Sequence, residues 1–134
     1  MKLLIDTNIF LEIILDQEKA PEAKSLLTKT DEHKYFISDY SLHSIGLLLF
    51  RRKLHEIFGQ FVKDMMINAG ITTASLYIED IDDIINASQR FDLDFDDAYQ
   101  YVVAGKHGLT IVSFDGDFDR TELGRKIPSQ LLGS

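Results

Sequence analysis

Short apolar runs of strand character alternate along this chain with longer stretches of helical period. Residues 2–5 (Lys-Leu-Leu-Ile) read as a buried strand. From Asn8 to Leu15 the period turns helical, and Asp6 or Thr7 stands where a cap is wanted. Pro21 suits the first turn of a second helix that ends near Thr30. Residues 35–38 form the next strand, followed by Asp39 and a helix from about Ser41 to Lys53. In residues 54–69, Leu54, Ile57, Phe58, Phe61, Val62 and Met65 fall on one face, and Gly70 supplies the stop. Ile71 to Ala74 is β-branched enough for a short strand. A helix over residues 80–90 is expected to bury Ile81, Ile84 and Ile85. Asp94-Phe95-Asp96-Asp97 opens another helix that runs to about His107 and stops at Gly108. Residues 109–114 are a fourth strand, and Gln130 to Leu132 offers a short further one. Alternating strands and helices predict an α/β fold: three layers, α/β/α, around a mainly parallel sheet of four to five strands.

The chain has 134 residues, which fits a single domain over 1–134, and 45% are hydrophobic, enough for a core. No apolar run approaches the roughly 20 residues that span a bilayer. Asp6 interrupts the first apolar run too early for a signal peptide. With no cysteine there is no disulfide, thiolate nucleophile or Cys-based zinc site. A cytoplasmic protein is the expectation. The net charge of −8 argues against a broad basic face for nucleic acid. A nucleic-acid enzyme stays compatible with it, because carboxylates gathered around a cation are offset locally.

The acidic residues are not scattered. Asp6 follows the first strand, Asp115 and Asp117 follow the fourth, and Asp94, Asp96 and Asp97 open a helix. Each has an ordinary structural explanation. Asp6 can cap a helix, Asp94 and Asp97 resemble a capping box, and Asp115-Gly116 is a turn signal. Their joint placement is the stronger observation, since all lie where a strand ends or a helix begins. In parallel sheets, sites form at the carboxyl ends of strands. Three acids within four residues exceed what one cap needs, and close like charges repel unless a cation joins them. Mg²⁺ or Mn²⁺ suits such oxygen donors.

Other chemistries find little support. None of the four histidines (His33, His43, His55, His107) makes a zinc pair on one helical turn, and no glycine-rich phosphate loop occurs. Arg51-Arg52-Lys53 is the densest basic run, and it stands where a helix end favours positive charge. Lys106, Arg120, Arg125 and Lys126 flank the fourth strand and lie nearer the acids in sequence. Tyr99 and Tyr101 are expected to pack, with stacking of one of them on a base as the alternative. Phe10 and Ile14 offer either core or a dimer face.

At these residues the chain resembles the PIN domain family, which includes the VapC-like ribonuclease toxins. The likeness rests on Asp6-Thr7-Asn8 after a first strand, Asp97-Ala98 opening a late helix, and Ser113-Phe114-Asp115-Gly116-Asp117-Phe118 after a later strand. It runs from about Met1 to Arg120. It implies a metal-dependent ribonuclease with catalytic Asp6, Asp97, Asp115 and Asp117. Of these, Asp6, Asp97 and Asp115 would hold Mg²⁺ or Mn²⁺, with Asn8 behind them. It also implies an RNA substrate, a small antitoxin partner and a homodimer. One position departs from the pattern. Ser38-Asp39-Tyr40-Ser41-Leu42-His43-Ser44 fits the family's second motif, but Ser44 stands in place of its glutamate. Asp39, Asp96 or Glu12 could compensate. The replacement also keeps open a second expectation, a PIN-like binding module with little catalysis. A receiver or phosphatase domain ranks last, because no lysine follows a strand end as those classes require.

Overall fold

The computed structural model describes residues 1–132. Among these residues four strands form: β1 (Lys2–Ile5), β2 (Lys34–Ser38), β3 (Thr72–Ala74) and β4 (Thr110–Val112). They pair in the order β3-β2-β1-β4, all parallel. Central β1 sets Leu4 beside Phe36 on one side and Ile111 on the other. Leu3, Leu4 and Ile5 are wholly buried, which is why this strand is apolar on both faces.

Six α-helices among the described residues cover the sheet: α1 (Thr7–Ile14), α2 (Ala20–Leu27), α3 (Asp39–Arg51), α4 (His55–Val62), α5 (Ile81–Phe91) and α6 (Phe95–His107). Side chains alternate across a strand, so Leu3 and Ile5 face one layer while Leu4 faces the other. Leu3 and Ile5 join Ile9, Phe10, Leu26, Ile45, Leu49 and Phe61 from α1 to α4. Leu4 and Ile111 join Val103, Ala104 and Phe118 beneath α6. Helix α5 packs on α6 through Ile84, Ala87, Ala98 and Val102. This is the three-layer α/β architecture read from the sequence.

Chain direction matters for function. Strands β2 and β3 are laid on one side of β1 and β4 on the other. The winding therefore reverses between β1 and β4, and the crevice outside their carboxyl ends is the expected place for a site.

Several details differ from the expectations. Gln130 to Leu132 adds no strand: Pro128–Leu131 is a 3-10 turn, and the sheet gains only a bridge from Val112 to Lys126. Residues 54–69 are not one α-helix, because α4 ends at Val62 and continues as a π-helical turn, Lys63–Asn68. Gly70 ends it as expected, with positive φ and a bond of 2.9 Å from the Ile71 N–H to the Met65 carbonyl. Ile57, Ile81 and Ile85 are exposed, and of the α5 isoleucines only Ile84 is buried. Phe10 is wholly buried, so it belongs to the core and not to a dimer face.

Gly108 closes α6 at φ 67°, with nothing within 4 Å of an added Cβ. Gly108→Ala therefore meets backbone strain alone and is expected to cost about 1 kcal/mol in equilibrium denaturation.

Candidate metal centre

The β1–β4 crevice is built from a carboxylate held by hydroxyls and an amide. Asp6 follows β1 and caps α1, accepting the Thr7 N–H at 2.8 Å. Its Oδ1 also accepts Gln100 Nε2 at 2.8 Å, and its Oδ2 accepts the Ser113 hydroxyl at 2.7 Å. Asp6 is buried, and burial outweighs these donors, so its pKa is raised. Ser113 Oγ in turn accepts Asn8 Nδ2 at 3.0 Å and the Asp115 N–H at 2.9 Å. Asn8 Oδ1 takes the Phe114 N–H at 3.2 Å. One serine and one asparagine thus bind the end of β4 to the start of α1.

Helix α6 supplies the next carboxylate. Asp94 caps it by accepting the Asp97 N–H at 3.0 Å. That leaves the buried Asp97 side chain turned toward the crevice, where it lines the same cavity as Asp6 and Asp115. Carboxylate oxygens of Asp97, Asp115 and Asp117 lie within 4.8 Å of one another. Burial, and then the Asp115 carboxylate beside it, push the Asp97 pKa up to about 8. Asp115 caps the 3-10 turn Gly116–Arg120 by accepting the Asp117 N–H at 2.8 Å. Asp117 is also paired with Arg120 at 3.1 Å.

The cavity holds about 240 Å³ and is walled by Asp6, Asn8, Tyr40, Ser44, Asp97 and Asp115, with Asp96 at its exposed edge. Ser44 does stand in the wall. Asp39 does not: its carboxylate accepts the Tyr99 hydroxyl at 2.7 Å and the Tyr40 N–H at 2.9 Å. Glu12 is taken up by the Lys19 N–H at 2.9 Å. Of the three acids that could compensate for the absent glutamate, only Asp96 borders the cavity. A larger cavity of about 510 Å³ lies between α5 and α6, away from these carboxylates. Size alone does not mark the chemistry here.

Gln100 escaped the sequence reading. It is 1% exposed, and both its amide hydrogens are used, one on Asp6 and one on Ser41 Oγ at 2.8 Å. Its carbonyl oxygen has no partner among the described residues. Ser41 also accepts the Thr7 hydroxyl at 2.8 Å. The available signal was spacing: Gln100 is three residues after Asp97 on one helix, so the two share a face.

The basic residues divide. Arg120 and Arg125 do lie at the acidic edge, where Arg125 pairs with Asp119 at 3.1 Å and donates to the Ser113 carbonyl. Lys106 is instead at the far end of α6, paired with Asp80 at 2.7 Å. Arg51-Arg52-Lys53 sits at the far end of α3, roughly 20 Å from the sheet edge for a helix of that length.

The PIN domain family matches residues 3–123. Among solved structures, the chain is similar to VapC20 of Mycobacterium tuberculosis, a sarcin-ricin loop cleaving toxin. The TM-score is 0.74 at 20% identity, over 90% of this chain and 95% of that one. It is also similar to a chain of a toxin–antitoxin complex from Klebsiella pneumoniae, with TM-score 0.72 and 17% identity, over 94% and 97%. A third is VapBC2 of Rickettsia felis, bound to a DNA fragment from its promoter, with TM-score 0.73 and 13% identity, over 95% and 97%. At these identities the likeness is one of fold. No curated protein sequence matches the chain.

Proposed function

The chain belongs to the PIN domain family, and on that premise we propose that it is a metal-dependent endoribonuclease that hydrolyses RNA phosphodiester bonds. The observation that carries this is the convergence of Asp97, Asp115 and Asp117 within 4.8 Å, beside Asp6, in the crevice at the carboxyl ends of β1 and β4. Three close carboxylates are a costly arrangement without a counter-charge. As hard oxygen donors they fit Mg²⁺ or Mn²⁺.

Asp6, Asp97 and Asp115 are the proposed ligands. Asp117 completes the shell or orients the attacking water, and Arg120 fixes its direction. Gln100, Ser113 and Thr7 hold Asp6 in one rotamer through three hydrogen bonds. Asn8 keeps the β4 end in register with α1. A bound ion supplies charge for the phosphoryl oxygens and a more acidic water. The protein's own part is to hold four carboxylates where such an ion is needed.

The same proposal makes the chain one domain over 1–134, cytoplasmic, and the toxin of a type II toxin–antitoxin pair, with a small antitoxin partner and a homodimeric state. The fold's likeness to toxins and toxin–antitoxin complexes supports the partner. Among the described residues no helix is long and apolar enough to cross a membrane.

Ser44 in the cavity wall favours a second reading, a PIN domain that binds but scarcely cleaves. Incubation of the purified protein with an RNA oligonucleotide pool separates the two. Cleavage in Mn²⁺ or Mg²⁺, lost in EDTA and restored by Mn²⁺, is the expected result. Ser44→Glu adds a carboxylate to the wall and is expected to tighten Mn²⁺ binding by about ten-fold. A silent wild type with an active Ser44→Glu variant would establish the second reading. Cleavage indifferent to EDTA would contradict both.

A further inference from the structure

Three aromatic rings run outward from the acidic cavity. Successive residues on α6 are turned by about 100°. Asp97 and Gln100 therefore face inward, Asp96 comes next, and Tyr99 and Phe95 follow around the helix. Tyr40, in the cavity wall, lies 5.9 Å from Tyr99, centroid to centroid, and Phe95 lies 6.1 Å from Tyr99 on its other side. Tyr99 is fixed by its bond to Asp39. Phe95 is 58% exposed, although burying such a ring is worth more than leaving it in water. It also walls a shallow, mostly apolar cavity of about 250 Å³ with Ile81, Ile85 and Gln89. An aromatic face, apolar walls and an amide at the rim are what a nucleobase needs, and that cavity has room for one.

Charge makes the same demand. The protein carries −8, and the two arginines at the acidic edge are already engaged: Arg120 with Asp117, Arg125 with Asp119. Phosphate contacts, the usual source of affinity for nucleic acid, are scarce at this edge. Contacts to the bases have to make up the difference.

We propose that Tyr40, Tyr99 and Phe95 form a stacking track that holds an unpaired base of the RNA next to the scissile phosphate, with Phe95 as its outer platform. This deepens the ribonuclease reading and rests on it.

The test is steady-state cleavage of a short single-stranded RNA by the full chain in Mn²⁺. The same RNA is also used with an abasic site on either side of the cut. Phe95→Ala is expected to raise KM roughly ten-fold while kcat stays within about two-fold. Phe95→Trp, which restores a ring, returns KM toward the wild-type value. An abasic site at one flanking position raises the wild-type KM by a similar factor and adds nothing further in Phe95→Ala. An unchanged KM in Phe95→Ala, or penalties that multiply, would overturn the track and leave the ribonuclease reading intact. A wild type that cleaves no RNA in either metal overturns both. If light scattering shows Phe95→Ala dissociating a dimer with KM unmoved, the ring belongs to contact between two copies and the track is wrong.

Discussion

Asp97→Asn is expected to abolish metal-dependent RNA cleavage and, in metal-free buffer, to raise the melting temperature. The activity loss should exceed roughly 100-fold, since even groups one step outside a metal's shell cost about 10- to 100-fold. The stability gain follows from proton linkage. Burial and Asp115 hold the Asp97 pKa near 8 in the folded chain, whereas an unfolded aspartate titrates near 3.9. The folded state thus keeps a proton that the unfolded state releases. The contribution is intact below about pH 4 and is lost as pH rises through about 8. Metal-free wild type should therefore melt progressively lower across that window, and Asp97→Asn should flatten the slope. Thermal denaturation in EDTA from pH 4.5 to 8.5 checks this. A variant that melts below wild type at pH 8 would show that Asp97 is held by favourable contacts and not crowded by like charge.

Gln100→Leu is expected to cost about 2 kcal/mol or more at neutral pH, because it removes a donor to a buried carboxylate as well as its bond to Ser41. Asp6 would keep only Thr7 and Ser113 as donors. Its pKa, already raised by burial, would rise further, since fewer bonds favour its charged form. The deficit should shrink as pH falls, because a neutral Asp6 loses less with that donor. Urea denaturation at pH 7.5 and pH 4.5 distinguishes this from simple loss of packing, which costs the same at both. Cleavage should fall along with stability, as Asp6 is no longer pinned in one rotamer.

The strand-end acids were legible because a parallel sheet puts such positions at one edge. Asp6 and Asp115 needed only the inference that β1 and β4 are strands. Asp97 needed only a helix boundary. What they lean on was not legible. A glutamine in the middle of a helix looks like a surface residue, and nothing in the pattern says that its amide meets a carboxylate 94 positions away. Asp39 looked equally available, yet Tyr99, 60 positions on, claims it. The misread end of the chain has a local cause. The Gln130 side chain accepts the Ile127 N–H at 2.9 Å, and Pro128 opens the turn, so local bonding displaces a strand ladder. Helix α5 shows a different limit. It rests chiefly on α6, which buries Ile84 and Ala87 but leaves Ile81 and Ile85 outside. An apolar stripe cannot declare how many partners the helix will have.

Calorimetric titration of the metal-free chain with Mn²⁺, beside Asp97→Asn, tests the metal centre most directly. Saturable binding by wild type, with proton release at pH 7 as Asp97 ionises, and its loss in the variant, is the predicted result. Equal binding by both proteins would place the ion elsewhere and remove Asp97 from the centre.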